Sequence, residues 1–218
     1  MWCIGQISEE YRLRMYALLA LYAQPFDPRE PVVCIDEKSL QLLGHSRAPL
    51  PMAPGVIAKD DYEYVRKGTI NLFVAVEPKA GQRAVSVTEQ RGKVDFVGFI
   101  ASLLGGAYAR ARRVHIVLDN LNTHFRKSFE DVLGHRATDK LLRRVQFHYT
   151  PKHASWLNMA EIEISVLGGQ CLKRRIGSKE VLEREVAAYV SDRNARRAKI
   201  LWGFAIPDAR VKMKRLYS

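Results

Sequence analysis

Apolar residues along this chain switch between the period of a helix and the runs of a buried strand. From Ser8 to Tyr22, Tyr11, Leu13, Met15, Leu18, Leu19 and Tyr22 recur near helical spacing, and the stretch breaks at QPFDPREP with its three prolines. This predicts a short leading helix and linker over residues 1–31. VVCID, Val32 to Asp36, is a β-branched run that stops on an acid. Leu40 to Lys67 is rich in Gly, Pro and charge without a clear period, which predicts a long loop or irregular insertion. TINLFVAVEP and RAVSVTEQ, joined through Lys79-Ala80-Gly81-Gln82, predict an antiparallel hairpin, and KVDFVGFIASLLGGAYARA then takes a helical period. VHIVLDN is a buried-type strand ending on an acid, with a helix expected after it. VQFHYTP is a strand stopped by proline, and Ser155 to Arg175 reads as a closing helix. Hairpin strands followed by alternating strands and helices predict an α/β fold, a mixed sheet with helices on both faces.

Composition narrows the function. A chain of 218 residues with 47% hydrophobic content can bury one core, and no internal repeat suggests a solenoid. Thirty-five Lys and Arg against 23 Asp and Glu leave a formal charge of +12, which favours a polyanion, nucleic acid first. Cys3, Cys34 and Cys171 form no CxxC pair, which predicts packing residues in a reducing cytosol and no zinc knuckle. No apolar run is long enough to span a membrane and no leader pattern opens the chain, so a cytoplasmic protein is expected.

The candidate chemistry is carboxylate. Asp36 and Asp119 each end an apolar strand, where ligands sit in open α/β sheets. Glu161, on the helix after the last strand, is a third candidate. Three converging carboxylates repel unless a hard cation lies among them, and Mg²⁺ or Mn²⁺ takes oxygen ligands while leaving positions for water and phosphate. Periodicity cannot choose between Glu161 and Glu163, which point roughly 200° apart on a helix. Glu37 and Lys38 face the same edge as Asp36, and Lys38 suits a phosphate. The clusters Arg110/Arg112/Arg113, Arg143/Arg144, Lys173/Arg174/Arg175 and Arg193/Arg196/Arg197/Lys199 are each read singly as a solvated face; together they can line a phosphate track. Trp156 is expected to be a core anchor.

VVCIDEKS, DYEYVRKGTINLF, VLDNLNTH and FHYTPKHASWLNMAEIEIS resemble the DDE-type transposases of bacterial insertion sequences related to the mariner group. The resemblance runs from about Val32 to Arg175 and continues more weakly through RNARRAKILWGF and DARVKMKRLY. It implies an RNase H-like catalytic domain over 32–176 and a basic, helical C-terminal extension over 177–218. It also implies that Asp36, Asp119 and Glu161 are the catalytic metal ligands. Counting three from Asn158 selects Glu161, although Met159 stands where many relatives have proline. Two Mg²⁺ ions are the implied cofactors, with Mn²⁺ as substitute. Lys38, Asn122, His124, Lys152, His153, Asn158, Lys173, Arg174 and Arg175 are the implied DNA contacts.

The implied activity is cleavage at the element ends and strand transfer into target DNA, with a homodimer in the active complex. Two alternatives stay open: an RNase H-like nuclease without strand transfer, and a domesticated DNA-binding relic, against which the presence of all three acids speaks. Such transposases usually place helix-turn-helix modules first, whereas only about thirty residues precede Val32 here. The chain is therefore expected to be the catalytic part alone, relying on an upstream DNA-reading segment or partner chain.

Overall fold

Five strands form one sheet in the order β3-β2-β1-β4-β5: β1 (Val32–His45), β2 (Tyr64–Glu77), β3 (Gln82–Thr88), β4 (Val114–Leu118) and β5 (Val145–Tyr149). The first three run antiparallel to one another, and β4 and β5 run parallel to β1. This computed structural model describes residues 7–59 and 61–214. Cys3 and the last four residues of the expected C-terminal extension lie outside them. No described helix is long and apolar enough to cross a membrane.

Helices cover both faces, as the alternation of strands and helices requires. Helices α2 (Lys93–Gly105), α3 (Arg126–Leu133) and α4 (His135–Leu142) enclose one face, with Phe96, Ile100 and Phe129 packed on Ile35, Phe73 and Ile116. One helix is expected between β4 and β5, but Gly134 divides it, at φ 76°, where a side chain would be strained. The other face carries α1 (Glu9–Ala23), α5 (Ala160–Gln170), α6 (Lys179–Ala195) and α7 (Ile206–Lys212). The Oγ of Ser8 accepts the N–H of Tyr11 at the start of α1, and that of Ser178 accepts the N–H of Val181 at the start of α6. Helix α6, within the expected extension, buries Leu182, Val186 and Tyr189 against β2 and α5. Trp156 anchors the second face, stacked on Trp202 and edge-on to Phe204.

Two expectations change. β1 does not stop at Asp36 but runs through it to His45, and Leu40–His45 and Tyr64–Lys67, read as loop, extend β1 and β2 as a paired ribbon from Leu40↔Ile70 to His45↔Tyr64, with an irregularity between Gln41 and Leu43. The β2 half of this outer ribbon, from Tyr64 to Thr69, is exposed at every position. No hydrophobic alternation marks it, and backbone pairing carries it instead. The closing helix is also shorter than expected. Ser155–Leu157 is a separate 3-10 turn, and α5 stops at Gln170 after two glycines.

Helix α5 is stapled to the rest of the sheet by a buried charge. Glu163, fully enclosed, lies 3.0 Å from the Arg83 Nε of β3 and 3.2 Å from the Arg193 Nη2 of α6, and accepts the Tyr189 hydroxyl at 2.6 Å. Arg83 also donates to the Gly81 and Ala198 carbonyls, which fixes the β2–β3 turn to the segment after α6. Removing one partner of such a network leaves the others charged and dry. Glu163→Gln should therefore cost about 3–5 kcal/mol, read as a lower urea midpoint. Glu161→Gln, on the exposed side of the same helix, should stay within about 0.5 kcal/mol of wild type.

A part-buried histidine pair makes stability depend on pH. His115 Nδ1 and His148 Nε2, on neighbouring parallel strands, share a hydrogen bond of 3.0 Å. Burial lowers both imidazoles below 6.5, and the nearby His115 helps bring His148 to about 4. The unfolded chain takes up a proton near 6.5 that His148 in the fold refuses until about 4, so stability is full above that window and falls as pH drops through it. Melting temperatures across that window should show the loss, and His148→Phe should flatten it.

Candidate active site

The parallel pairing of β1 with β4 joins Val32 to His115, Val33 to Ile116 and Cys34 to Val117. Carried two residues further, the same register sets Asp36 beside Asp119. Alternation along β1 puts Asp36 on the face of Cys34, toward α5, and Glu37 on the face of Ile35, toward α2. Adjacent carboxylates at the centre of a sheet are costly. Asp36 is pushed up to about 7, first by burial and then by the charges of Glu161 and Asp119, while the Glu37 N–H and His124 hold it down. Both of the other expected acids thus act on Asp36.

Each aspartate is held by a buried neighbour. Asn158, with no exposure, donates through Nδ2 to the Ile35 carbonyl at 2.8 Å and to Asp36 Oδ2 at 3.3 Å, while its Oδ1 accepts the Ala160 N–H. It ties the start of α5 to β1. His124 lies between two carboxylates, with Nε2 at 3.1 Å from Glu37 Oε1 and Nδ1 at 2.7 Å from Asp119 Oδ1. The second contact is an ion pair off the axis of the ring N–H. Burial alone would lower this imidazole, but its close contacts with the Asp119 and Glu37 carboxylates and their charges overcome it and push it to about 9. The ring lies 4.4 Å from the Phe96 ring, centre to centre, and the Tyr149 hydroxyl donates to the His124 carbonyl.

His124 and Asn158, expected to contact DNA, are therefore enclosed side chains that position carboxylates. Asn122, Lys152 and His153 are exposed in the turns that follow β4 and β5, at the edge where Asp119 lies. Lys38 is half-buried, two residues beyond Asp36 on the same face of β1. Lys173, Arg174 and Arg175 follow the far end of α5, which lies about 14 Å along the helix from Glu161. Arg174 pairs with Glu185, and Arg175 donates to the carbonyls of Asp61 and Glu63, holding the ribbon between β1 and β2. These two are committed to structure.

Three positioning roles went unread in the sequence. Glu37 was visible only as a neighbour of Asp36, and the partner that explains it comes from another strand. Asn120 accepts from Arg14 Nη1 at 3.1 Å and donates to the Thr150 carbonyl, joining α1, β4 and β5 behind the site. The strand-Asp-Asn pattern was the signal for Asn120; nothing local marked Arg14.

The donor set suits an oxygen-seeking cation: three carboxylates, one of them partly desolvated and raised by the other two. Among the described residues, however, no three His, Cys, Asp or Glu side chains stand close enough together to hold an ion as they are. Glu161 is exposed in the first turn of α5, and Asp119 is drawn toward His124.

A family model described as DDE superfamily endonuclease matches residues 31–183. No curated protein matches. Among solved structures, the chain is similar to the Mos1 mariner paired end complex with Mn, at a TM-score of 0.55 and 15% identity over 90% of this chain and 61% of that one. A pre-cleavage Mos1 transpososome gives a TM-score of 0.56 and 16% identity over 93% and 67%. The Mos1 Strand Transfer Complex gives 0.54 and 14% over 93% and 66%. The chain spans about 61% of the length of the first of these. At such identities the likeness carries the fold, an RNase H-like mixed sheet flanked by helices. With the family model covering most of its length, the chain belongs to the DDE superfamily endonucleases.

Proposed function

We propose that this chain is a transposase catalytic domain that cleaves phosphodiesters at the ends of an insertion sequence and joins the freed 3′ ends to target DNA. The observation that carries the reading is the register of β1 on β4, which sets Asp36 beside Asp119 while Glu161 raises Asp36 from the neighbouring helix. Asp36, Asp119 and Glu161 would hold Mg²⁺ or Mn²⁺. A bound pair of ions would supply activation of the attacking oxygen and stabilisation of the leaving one. The protein's own part is orientation. Asn158 fixes Asp36, Glu37 fixes His124, and His124 fixes Asp119. Lys38, Asn122, Lys152 and His153 border this edge and would receive the DNA backbone. The similar Mos1 structures are a paired-end complex with a transposon end and a Strand Transfer Complex, which supports DNA as partner; a homodimer in the working assembly is part of the proposal.

A supercoiled plasmid carrying the element ends tests the activity. With Mg²⁺, wild-type protein should nick or linearise it, and Asp119→Asn and Glu161→Gln should each lower the rate by orders of magnitude; equal rates in all three would end the reading. His124→Asn should lower the rate about 10–100-fold, the range for groups that orient metal ligands. Without DNA, Mg²⁺ or Mn²⁺ should raise the melting temperature of wild type and leave that of Asp119→Asn unchanged.

A further inference from the structure

The catalytic edge is not where the arginines are densest. Arg110, Arg112 and Arg113 lie in the segment entering β4, Arg143 precedes β5, and Arg29 precedes β1, so all five lie at the edge opposite Asp119. Backbone hydrogen bonds knit these three distant segments together. The N–H groups of Arg112 and Arg113 both donate to the Arg29 carbonyl, at 2.8 and 3.2 Å, and the Val114 N–H donates to the Arg144 carbonyl at 2.8 Å. Arg144 is the brace: its guanidinium binds the carbonyls of Leu104, Tyr108 and Ala111, which fixes the segment carrying the other arginines.

The charge there is poorly compensated. Arg29 pairs with Asp27 at 3.6 Å and Arg112 with Glu30 at 2.9 Å. Arg110, Arg113 and Arg143 are exposed and, among the described residues, pair with no carboxylate. Gathering like charges on a braced surface is unfavourable for the isolated fold. A phosphate backbone relieves that repulsion, and guanidinium groups match phosphate oxygens in pairs. The five residues of β4 separate this edge from Asp119 by about 16 Å.

We propose that Arg29, Arg110, Arg112, Arg113 and Arg143 form a second phosphate-backbone contact, which holds a stretch of duplex DNA separate from the one at the carboxylates. It rests on DNA being the partner, as in the reading above, but not on cleavage. The contact is independent of sequence, because it reaches phosphates and not base edges.

Metal-free binding to a duplex of unrelated sequence, followed across salt concentration, tests it. Each phosphate contact contributes about 0.9 to the log–log slope, so the combined variant Arg110→Gln, Arg113→Gln, Arg143→Gln should flatten the slope by about 2–3. The corresponding lysine variant should keep it. On an immobilised duplex, wild type and Asp119→Asn should capture a second, labelled duplex, and the glutamine variant should not. If the triple variant melts early, the single Arg→Gln variants, each expected to flatten the slope by about 0.9, take its place. An unchanged slope would mean that the patch is solvated or fits an acidic protein. Persistent capture by the glutamine variant would mean that the second duplex is held elsewhere. Either result overturns the proposal. Loss of cleavage with both binding effects intact would count against the catalytic reading alone.

Discussion

Two aspartates side by side in the middle of a sheet are a standing electrostatic cost, and much of the surrounding structure answers it. Carried two residues past its last pair, the parallel register of β1 on β4 brings Asp119 to Asp36, whose charge it feels. Burial then makes the charge on Asp36 harder to bear, raising it to about 7. The compensation is local and directional: a backbone N–H and the Asn158 amide for Asp36, the His124 ring for Asp119. None of these groups neutralises the whole site, and that residual charge makes it suited to a cation.

Helix α5 handles its two glutamates in opposite ways. Glu163 is sealed against Arg83, Tyr189 and Arg193, where its charge is matched and holds the fold together. Glu161, half a helical turn away, faces outward and couples to Asp36. The same short segment therefore closes one layer of the core and arms its edge. Asn158 marks the junction, since it bonds to both β1 and the first turn of α5. Any shift of α5 along β1 would break the Glu163 network and move Glu161 together, so stability and site geometry are coupled here.

The sheet also gives the molecule two unlike ends. Acids and their positioning groups lie where β4 runs out, and arginines gather where it begins. A protein with a formal charge of +12 could have spread its basic residues evenly. The five arginines on the braced segment instead concentrate part of the positive field at the end away from the carboxylates.

The sequence by itself determined the strands and helices that bury apolar faces, because burial imposes a period: Ser8–Tyr22, the hairpin at Lys79–Gln82, and the runs ending at Asp36 and Asp119 were all legible. It missed the β1–β2 ribbon, whose exposed outer positions carry no hydrophobic period, and the break at Gly134, which a helical pattern overrode. For the site, residue types and spacing pointed to Asp36, Asp119 and Glu161, yet helical periodicity left Glu161 and Glu163 equivalent; only the resemblance separated them. Tertiary structure alone revealed which glutamate Arg83 and Arg193 enclose, and that His124 and Asn158 are buried. It alone revealed Glu37 as the partner of His124. Those facts depend on contacts between segments far apart in the chain, and side-chain pairing across strands leaves no mark in the local pattern of either partner.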